Sequence, residues 1–585
     1  MVYAGIDLGT TNCAVAWTSP DTDSPVELLP IPQLVAPGEV FAETLLPSAL
    51  YLAADGEFPP GALDLPWRQG DGRIVGQFAA RRGAETLGRL VTSAKSWLSA
   101  TGSERTAPIL PPNAPPEAPR VSPVDASRAY LEHILGAWNH AFPDTPLAPR
   151  HVVLTVPASF DEVARQLTEK AAAAAGLPEL VLLEEPQAAL YAWLESHPDW
   201  RETLRPGDLI LVIDVGGGTT DFTLIRAAER DGALELERIA VGDHLLLGGD
   251  NMDLALAHAV ARRLPKLDAL QFQSLWQQCR LAKEALLENP ARTEAPVTLL
   301  GRGSSLIGGT IRGRLERGEV EAILIDGFFP RTSSEEMPVR RRRAALAELG
   351  LPYEQDPAVT KHLAQFLRRG GELACPTHVL FNGGVFRARA LRERMTEVLN
   401  GWLREAGRPP VRVLEGGDLM HAVARGAAWY ARLRNEGGLR IRGGIPHSYY
   451  IGIEAAMPAV PGLQPPLKAL TVVPFGMEEG SQAEVPGREF VLFTGEPAQF
   501  RFFVSASRKQ DAIGDLLEEI PEELEELAPV EVCLEGEPGG MARVMLEVQV
   551  TETGVLELWA RGLPGTPWEG RRWKLEFQLR RHASQ

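Results

Sequence analysis

Asp214 closes a run of apolar residues that begins at Leu209 (LILVIDV), and Gly216-Gly217-Gly218 and Thr219-Thr220-Asp221 follow it directly. Phe222 to Ile225 then start a second apolar run. Strand, glycine turn and strand make a hairpin, whereas a Walker-type loop would need a lysine and a helix after the glycines. Three glycines let backbone N–H groups approach an anion closely, and a carboxylate at a strand end can hold a hydrated cation. The chemistry expected here is phosphate with metal. A glycine-rich β-turn is the plainer reading of the three glycines alone, and the flanking Asp and Thr-Thr-Asp argue against it.

The same grammar occurs near the N-terminus. Val2 to Trp17 (VYAGIDLGTTNCAVAW) gives a short strand, Asp7, Gly9, Thr10-Thr11 and a second strand from Cys13. Two such hairpins at domain-sized spacing predict a duplicated, two-lobed architecture whose phosphate loops face each other across a cleft. Such a pair can grip a polyphosphate from both sides and exclude water.

Other candidates are weaker taken singly. Lys95 lies among small and apolar neighbours in SAKSWL, where a lone lysine is ordinarily a solvated charge. Glu184-Glu185-Pro186 follows the strand-like run Leu180 to Leu183. Glu185 can reach the same cation as Asp7 and Asp214, or the pair can cap the next helix. Asn382-Gly383-Gly384 follows the strand His378 to Phe381, where glycines suit close approach of a flat ligand group and Arg387 can stack on it.

The elements that must position these groups alternate. Strands are expected near Glu43–Leu52, Arg73–Val75 and His151–Pro157, with helices over Gln77–Leu98, Ser127–Phe142, Asp161–Gly176, from about Asn251, over Leu275–Leu287 and over Asp418–Arg434. Alternating strands and helices with acidic strand ends describe an α/β sheet whose ligand lies off the carboxyl edge. Proline-dense Ala107–Pro123 reads as an extended loop, and the Arg340–Arg343 run reads as a solvated helix start.

Bulk properties narrow the classes. The 585 residues exceed one ordinary domain, and 44% hydrophobic with 23% charged content is that of a soluble globular protein. A net charge of −18 argues against nucleic-acid or anionic-membrane surfaces but not against nucleotide binding. Four scattered cysteines without a CxxC pair predict no disulfide framework and a reducing compartment. With no signal-like start and no long apolar span, a cytoplasmic protein is expected.

Gly5–Trp17, VVLTVPASFDEVARQ, LLEEPQAAL, LILVIDVGGGTTDFTLI, GDHLLLGGDNMD, HVLFNGGVFR and AVARGAAWY follow one another as in the nucleotide-binding domain of DnaK-type (70-kDa heat-shock) chaperones, which the chain resembles from residue 1 to about 436. The resemblance implies a two-lobed actin-like ATPase domain of duplicated ribonuclease-H-like lobes binding ATP or ADP with Mg²⁺. It makes Gly9, Thr10, Thr11 and Asn12 one phosphate loop and Gly216, Gly217, Gly218 and Thr219 the other. Lys95 resembles the family's catalytic lysine. Asp7, Glu185 and Asp214 would hold the metal through waters, with Asp214 and Thr219 orienting the attacking water. Lys283, Gly383, Gly384 and Arg387 resemble the adenosine-binding residues, and Pro157 and Arg165 the relay to a second domain. Asn12 and the segment around Lys283 depart from the usual pattern.

Residues 437–446 (GGLRIRGGIP) read as a linker, and 447–585 as a β-sandwich from its strand-like runs. SYYIGIE and TGVLELWA resemble strands of the chaperones' peptide-binding domain. No helical lid or acidic tail is expected, and the acidic Gly514–Leu527 reads as a helix-like solvated insertion. The function expected is an ATP-dependent chaperone-like ATPase acting on extended peptide segments or a dedicated client, with a J-domain co-chaperone and exchange factor as partners. A nucleotide-gated scaffold and an actin-superfamily small-molecule kinase are the alternatives.

Overall fold

A computed structural model describes residues 2–575 apart from 22–23, 87, 101–104, 113, 115–117, 148–150, 179, 231, 290, 301–309, 340–350, 446, 455–465, 479, 488, 496, 506, 528–529, 534–535, 537–538 and 552–555. The Arg340–Arg343 run lies outside the described residues.

Two sheets carry the same plan. In the first, Tyr3–Leu8 pairs antiparallel with Asn12–Thr18 and parallel with Val152–Val156, which continues parallel to Val181–Glu184. In the second, Leu209–Val215 pairs antiparallel with Thr220–Arg230 and parallel with His378–Asn382, which continues to Arg412–Val413. The central strands are buried on both faces, which accounts for their nearly unbroken apolar runs. The fold is the expected duplicated, two-lobed actin-like one.

Three apolar layers hold these lobes. The first sheet packs on helices Pro123–Ala141 and Glu162–Ala174, and the second on Gly249–Ala261, Ala269–Glu288 and Arg389–Glu405. A third layer joins the sheets themselves, with Tyr3 and Val153 from one and Ile210 and Val212 from the other. Helices Glu185–Ser196 and Ala422–Glu436 run through it. Their approach needs glycine: a Cβ on Gly426 would stand 1.7 Å from the Ala188 carbonyl oxygen.

From Ser448 onward the described residues form strands. One sheet contains Ser448–Glu454, Leu467–Val473 and Phe502–Ser505, the other Gly540–Val550, Leu556–Gly562 and Arg572–Leu575. Tyr449, Ile451 and Leu470 share one core with Val544, Val548 and Leu558, so the two sheets make a β-sandwich.

Three expectations need correction. Gln77–Leu98 is not one helix, because Leu90–Val91 pairs with Tyr51 and Leu50 and so separates helices Gln77–Glu85 and Ala94–Ser99. Gly514–Leu527 is not helical. Leu516–Leu517 pairs with Leu470 and Ala469, Glu525–Glu526 pairs with Val504 and Phe503, and Pro521 between them lacks the N–H that a helix requires. The stretch read as a linker is partly built into the second lobe: Ile441–Arg442 pairs parallel with Leu236 and Glu237.

Candidate functional site

The two hairpin turns meet. A Cβ on Gly217 would lie 1.8 Å from Thr11 Oγ1, and one on Gly218 would lie 2.8 Å from Thr10 Cγ2 and 3.2 Å from Ser96 Oγ. Glycine is thus required by the approach of the opposite loop. The second turn is braced from behind, where the Gly249 and Asp250 N–H groups donate to the Gly216 and Gly217 carbonyls at 3.0 and 2.7 Å. Within the turn the Gly216 N–H donates to the Thr219 carbonyl at 2.9 Å, so its shape is fixed from both sides.

Between the lobes lies a cavity of about 380 Å³. Asp7, Gly9, Thr10, Thr11 and Asn12 line it from one lobe, and Asp214, Gly216, Gly217 and Thr219 from the other. Glu185 lines it too, as do Lys283, Gly383, Gly384 and Arg387 at its far end. Lys95 and Gly218 stand just behind the wall. The cavity therefore brings together residues that are distant in sequence and that were expected in one site.

Its electrostatics are those of crowded carboxylates. Lys95, 5% exposed, pairs with Glu185. Burial, followed by the charge of Glu185, pushes Asp7 up to about 7, against the attraction of Lys95 and a Thr155 hydroxyl 3.3 Å away. Burial and Glu185 also raise Asp214 well above the usual range. Burial opposes the charge on Lys95, but Glu185 and Asp7 together raise its pKa, so it stays cationic.

Three carboxylates against one lysine leave a negative excess that suits a hard cation with oxygen ligands. The buried Asn382 Oδ1 has no hydrogen-bond partner, which adds a neutral oxygen to that set. No three acidic, His or Cys side chains among the described residues are grouped to ligate an ion directly. Residues of this kind at this spacing fit an ion held through water.

Some partners were not expected. Asn382 donates to Asp214 Oδ2 at 2.7 Å because parallel register places the two residues side by side. Lys283 is paired with Asp253 at 2.7 Å, and Arg387 with Glu288 at 2.6 Å. Both cations thus reach the cavity already oriented by acids. Asn382 was visible as the first residue of Asn-Gly-Gly, but its partner depends on strand register that no local pattern carries.

A second polar cluster sits behind Glu185. Its neighbour Glu184 is buried and pairs with Arg165 at 3.0 Å and with Arg238, whose guanidinium also donates to the Gly444 carbonyl. On the adjacent helix, Glu162 accepts the Leu556 N–H of the sandwich at 2.9 Å.

Residues 146–334 match the family model described as Hsp70 protein. Over that span the chain is similar to Hsp70 proteins. Among curated relatives, a protein named Chaperone protein HscA homolog from Delftia acidovorans is 30% identical over 305 residues, covering 50% of this chain and 43% of the relative. Its namesake in Acidithiobacillus ferrooxidans is 36% identical over 210 residues, 35% of this chain and 30% of the relative. The one in Bordetella pertussis is 30% identical over 333 residues, 54% of this chain and 46% of the relative. The chain thus spans less than half the length of each of these relatives. No helix among the described residues is long and apolar enough to cross a membrane.

Proposed function

We propose that this chain is an ATP-dependent, chaperone-like ATPase, with residues 1–436 as the nucleotide-binding unit, 437–446 as the connection and 447–585 as a peptide-binding sandwich. The observation that carries this reading is the closure of two Asp-Gly-Thr hairpins on one cavity that Glu185, the partner of Lys95, and the Gly383-Gly384 turn also line. The polyphosphate lies between the Thr10-Thr11 and Gly216–Thr219 loops, where N–H and hydroxyl donors converge. The base lies against Gly383 and Gly384, where a side chain on Gly383 would strike the Val215 carbonyl at 2.3 Å. Bound Mg²⁺ supplies charge neutralisation at the phosphates. Asp214, fixed by Asn382, orients the attacking water with help from Thr219. Lys95 balances the charge that develops on the γ-phosphate.

The sandwich offers a surface of the right kind for extended peptide. Val491 and Phe493 alternate on strand Phe490–Thr494, Phe493 is in register with Met541, and all three are more than half exposed. An edge strand with apolar side chains suits strand-like capture of a peptide. The partners expected are unfolded segments or one dedicated client, with a J-domain co-chaperone and an exchange factor setting the cycle, in the cytoplasm.

The test is ATP turnover by the full chain. Asp214→Asn or Lys95→Ala is expected to lower hydrolysis by orders of magnitude while ATP still binds. Unchanged turnover in both variants refutes the assignment, and transfer of the phosphoryl group to a small molecule favours a kinase.

A further inference from the structure

His244 follows the second lobe's strand Ala233–Val241 and lies outside the cavity. Its ring nevertheless reaches the first lobe. Nδ1 is 2.7 Å from the Ser159 hydroxyl, which follows strand Val152–Val156, and Nε2 is 2.9 Å from the hydroxyl of Ser99, the last residue of helix Ala94–Ser99. The Phe160 ring packs edge-on against it at 5.5 Å.

Proton accounting gives these contacts a direction. Ser159 donates its single proton to Asp221, which as a carboxylate can only accept. The Ser159 oxygen must then accept from His244, so Nδ1 carries hydrogen. Nε2 lies 2.9 Å from the Ser99 hydroxyl, whose one proton also has the Ser96 carbonyl of its own helix within reach at 2.9 Å. The result is one continuous series of contacts, Ser99 to His244 to Ser159 to Asp221, which crosses between the lobes at each step and ends in the second lobe on the carboxylate two residues beyond Thr219.

The helix that this chain grips carries Lys95. Lys95 and Ser99 are four residues apart and share a face. Ser96, between them, stands opposite Gly218 of the second phosphate loop. The helix has only six residues, and no side-chain cap holds its N-terminus at Ser93, whose φ is 53°. A helix this short is marginal by itself, so its orientation is set by outside contacts.

We propose that His244 is a positioning residue for the hydrolytic step: it fastens the Lys95 helix to the second lobe and so fixes the lysine against Glu185 and the phosphate loops only when the lobes are closed. This inference rests on the ATP-hydrolysing reading. Misplacing a catalytic group by about 1 Å costs on the order of 100-fold, so His244→Ala is expected to slow single-turnover hydrolysis about 10- to 100-fold. ATP affinity should stay within about threefold, because His244 touches no part of the cavity. His244→Asn keeps a donor near the Nδ1 position and should recover part of the rate. Ser99→Ala, at a helix end, cuts the chain without emptying a buried site and should also slow hydrolysis.

The deciding measurement is a double-mutant cycle with Lys95→Ala. If His244 acts through Lys95, the double variant is no slower than Lys95→Ala alone. Losses that multiply, or wild-type rates in both His244→Ala and Ser99→Ala, overturn the proposal while leaving the ATPase intact. Absence of hydrolysis by the wild-type chain removes the underlying reading instead.

Discussion

Glu162 joins the two parts of the chain with a carboxyl that is only 2% exposed. Its Oε1 accepts the Leu556 N–H at 2.9 Å and the Gln166 amide at 3.2 Å. Burial pushes it up to about 8, an effect that Arg165 opposes and Glu169 reinforces. The folded-state pKa lies above the unfolded one, so the contribution of Glu162 to the junction is fully present below the ordinary carboxylate range. It is lost progressively as pH rises through about 8. A shift of this size corresponds to roughly 3–5 kcal/mol across that window. Glu162→Gln mimics the neutral acid, keeps the acceptor oxygen and does not titrate. The assay is hydrogen exchange of strand Leu556–Gly562, corrected for intrinsic rates, from pH 5 to 9. Wild-type protection should fall relative to that of Glu162→Gln as pH rises, by a hundredfold or more if opening is local. Parallel profiles for the two proteins would refute the reasoning, since burial of a titrating acid would then carry no cost at this contact.

Three further outcomes are expected. Gly217→Ala places a methyl against Thr11 Oγ1. Overpacking of this kind costs roughly 1–3 kcal/mol, so calorimetry should show ATP affinity about 10- to 100-fold weaker, and Thr11→Ala should restore part of it. Asn382→Ala removes the hydrogen bond to Asp214. Bonds to charged groups contribute roughly 1.5–3 kcal/mol, so single-turnover hydrolysis should slow about 10- to 100-fold, and an unchanged rate would show that Asn382 does not hold Asp214 in place. Replacing exposed Phe493 and Met541 together by Ser should weaken binding of an extended apolar peptide at least about tenfold by fluorescence anisotropy, with ATP turnover unaffected.

The two glycine hairpins were legible because their signal is local. An apolar run, an Asp, glycines and Thr-Thr are contiguous, and repetition of the pattern already implied two lobes. Lys95 was not legible in that way: only resemblance to a family lifted it above a solvated lysine, and its pairing with Glu185 is a contact between residues 90 positions apart. Asn382 beside Asp214, His244 between two serines and Glu162 beneath Leu556 depend on register or on packing between sheets. The errors have the same origin. Helical periodicity over Gln77–Leu98 and acidic composition over Gly514–Leu527 are local signals that strand pairing with distant partners overrode.

The short strand Ile441–Arg442 has a consequence beyond connection. It occupies the outer margin of a six-stranded sheet, where Leu236 and Glu237 would otherwise show unpaired N–H and C=O groups to solvent. Such a margin is a template for foreign strands and a route to aggregation. The chain therefore shields its own sheet with the segment that leads to the sandwich.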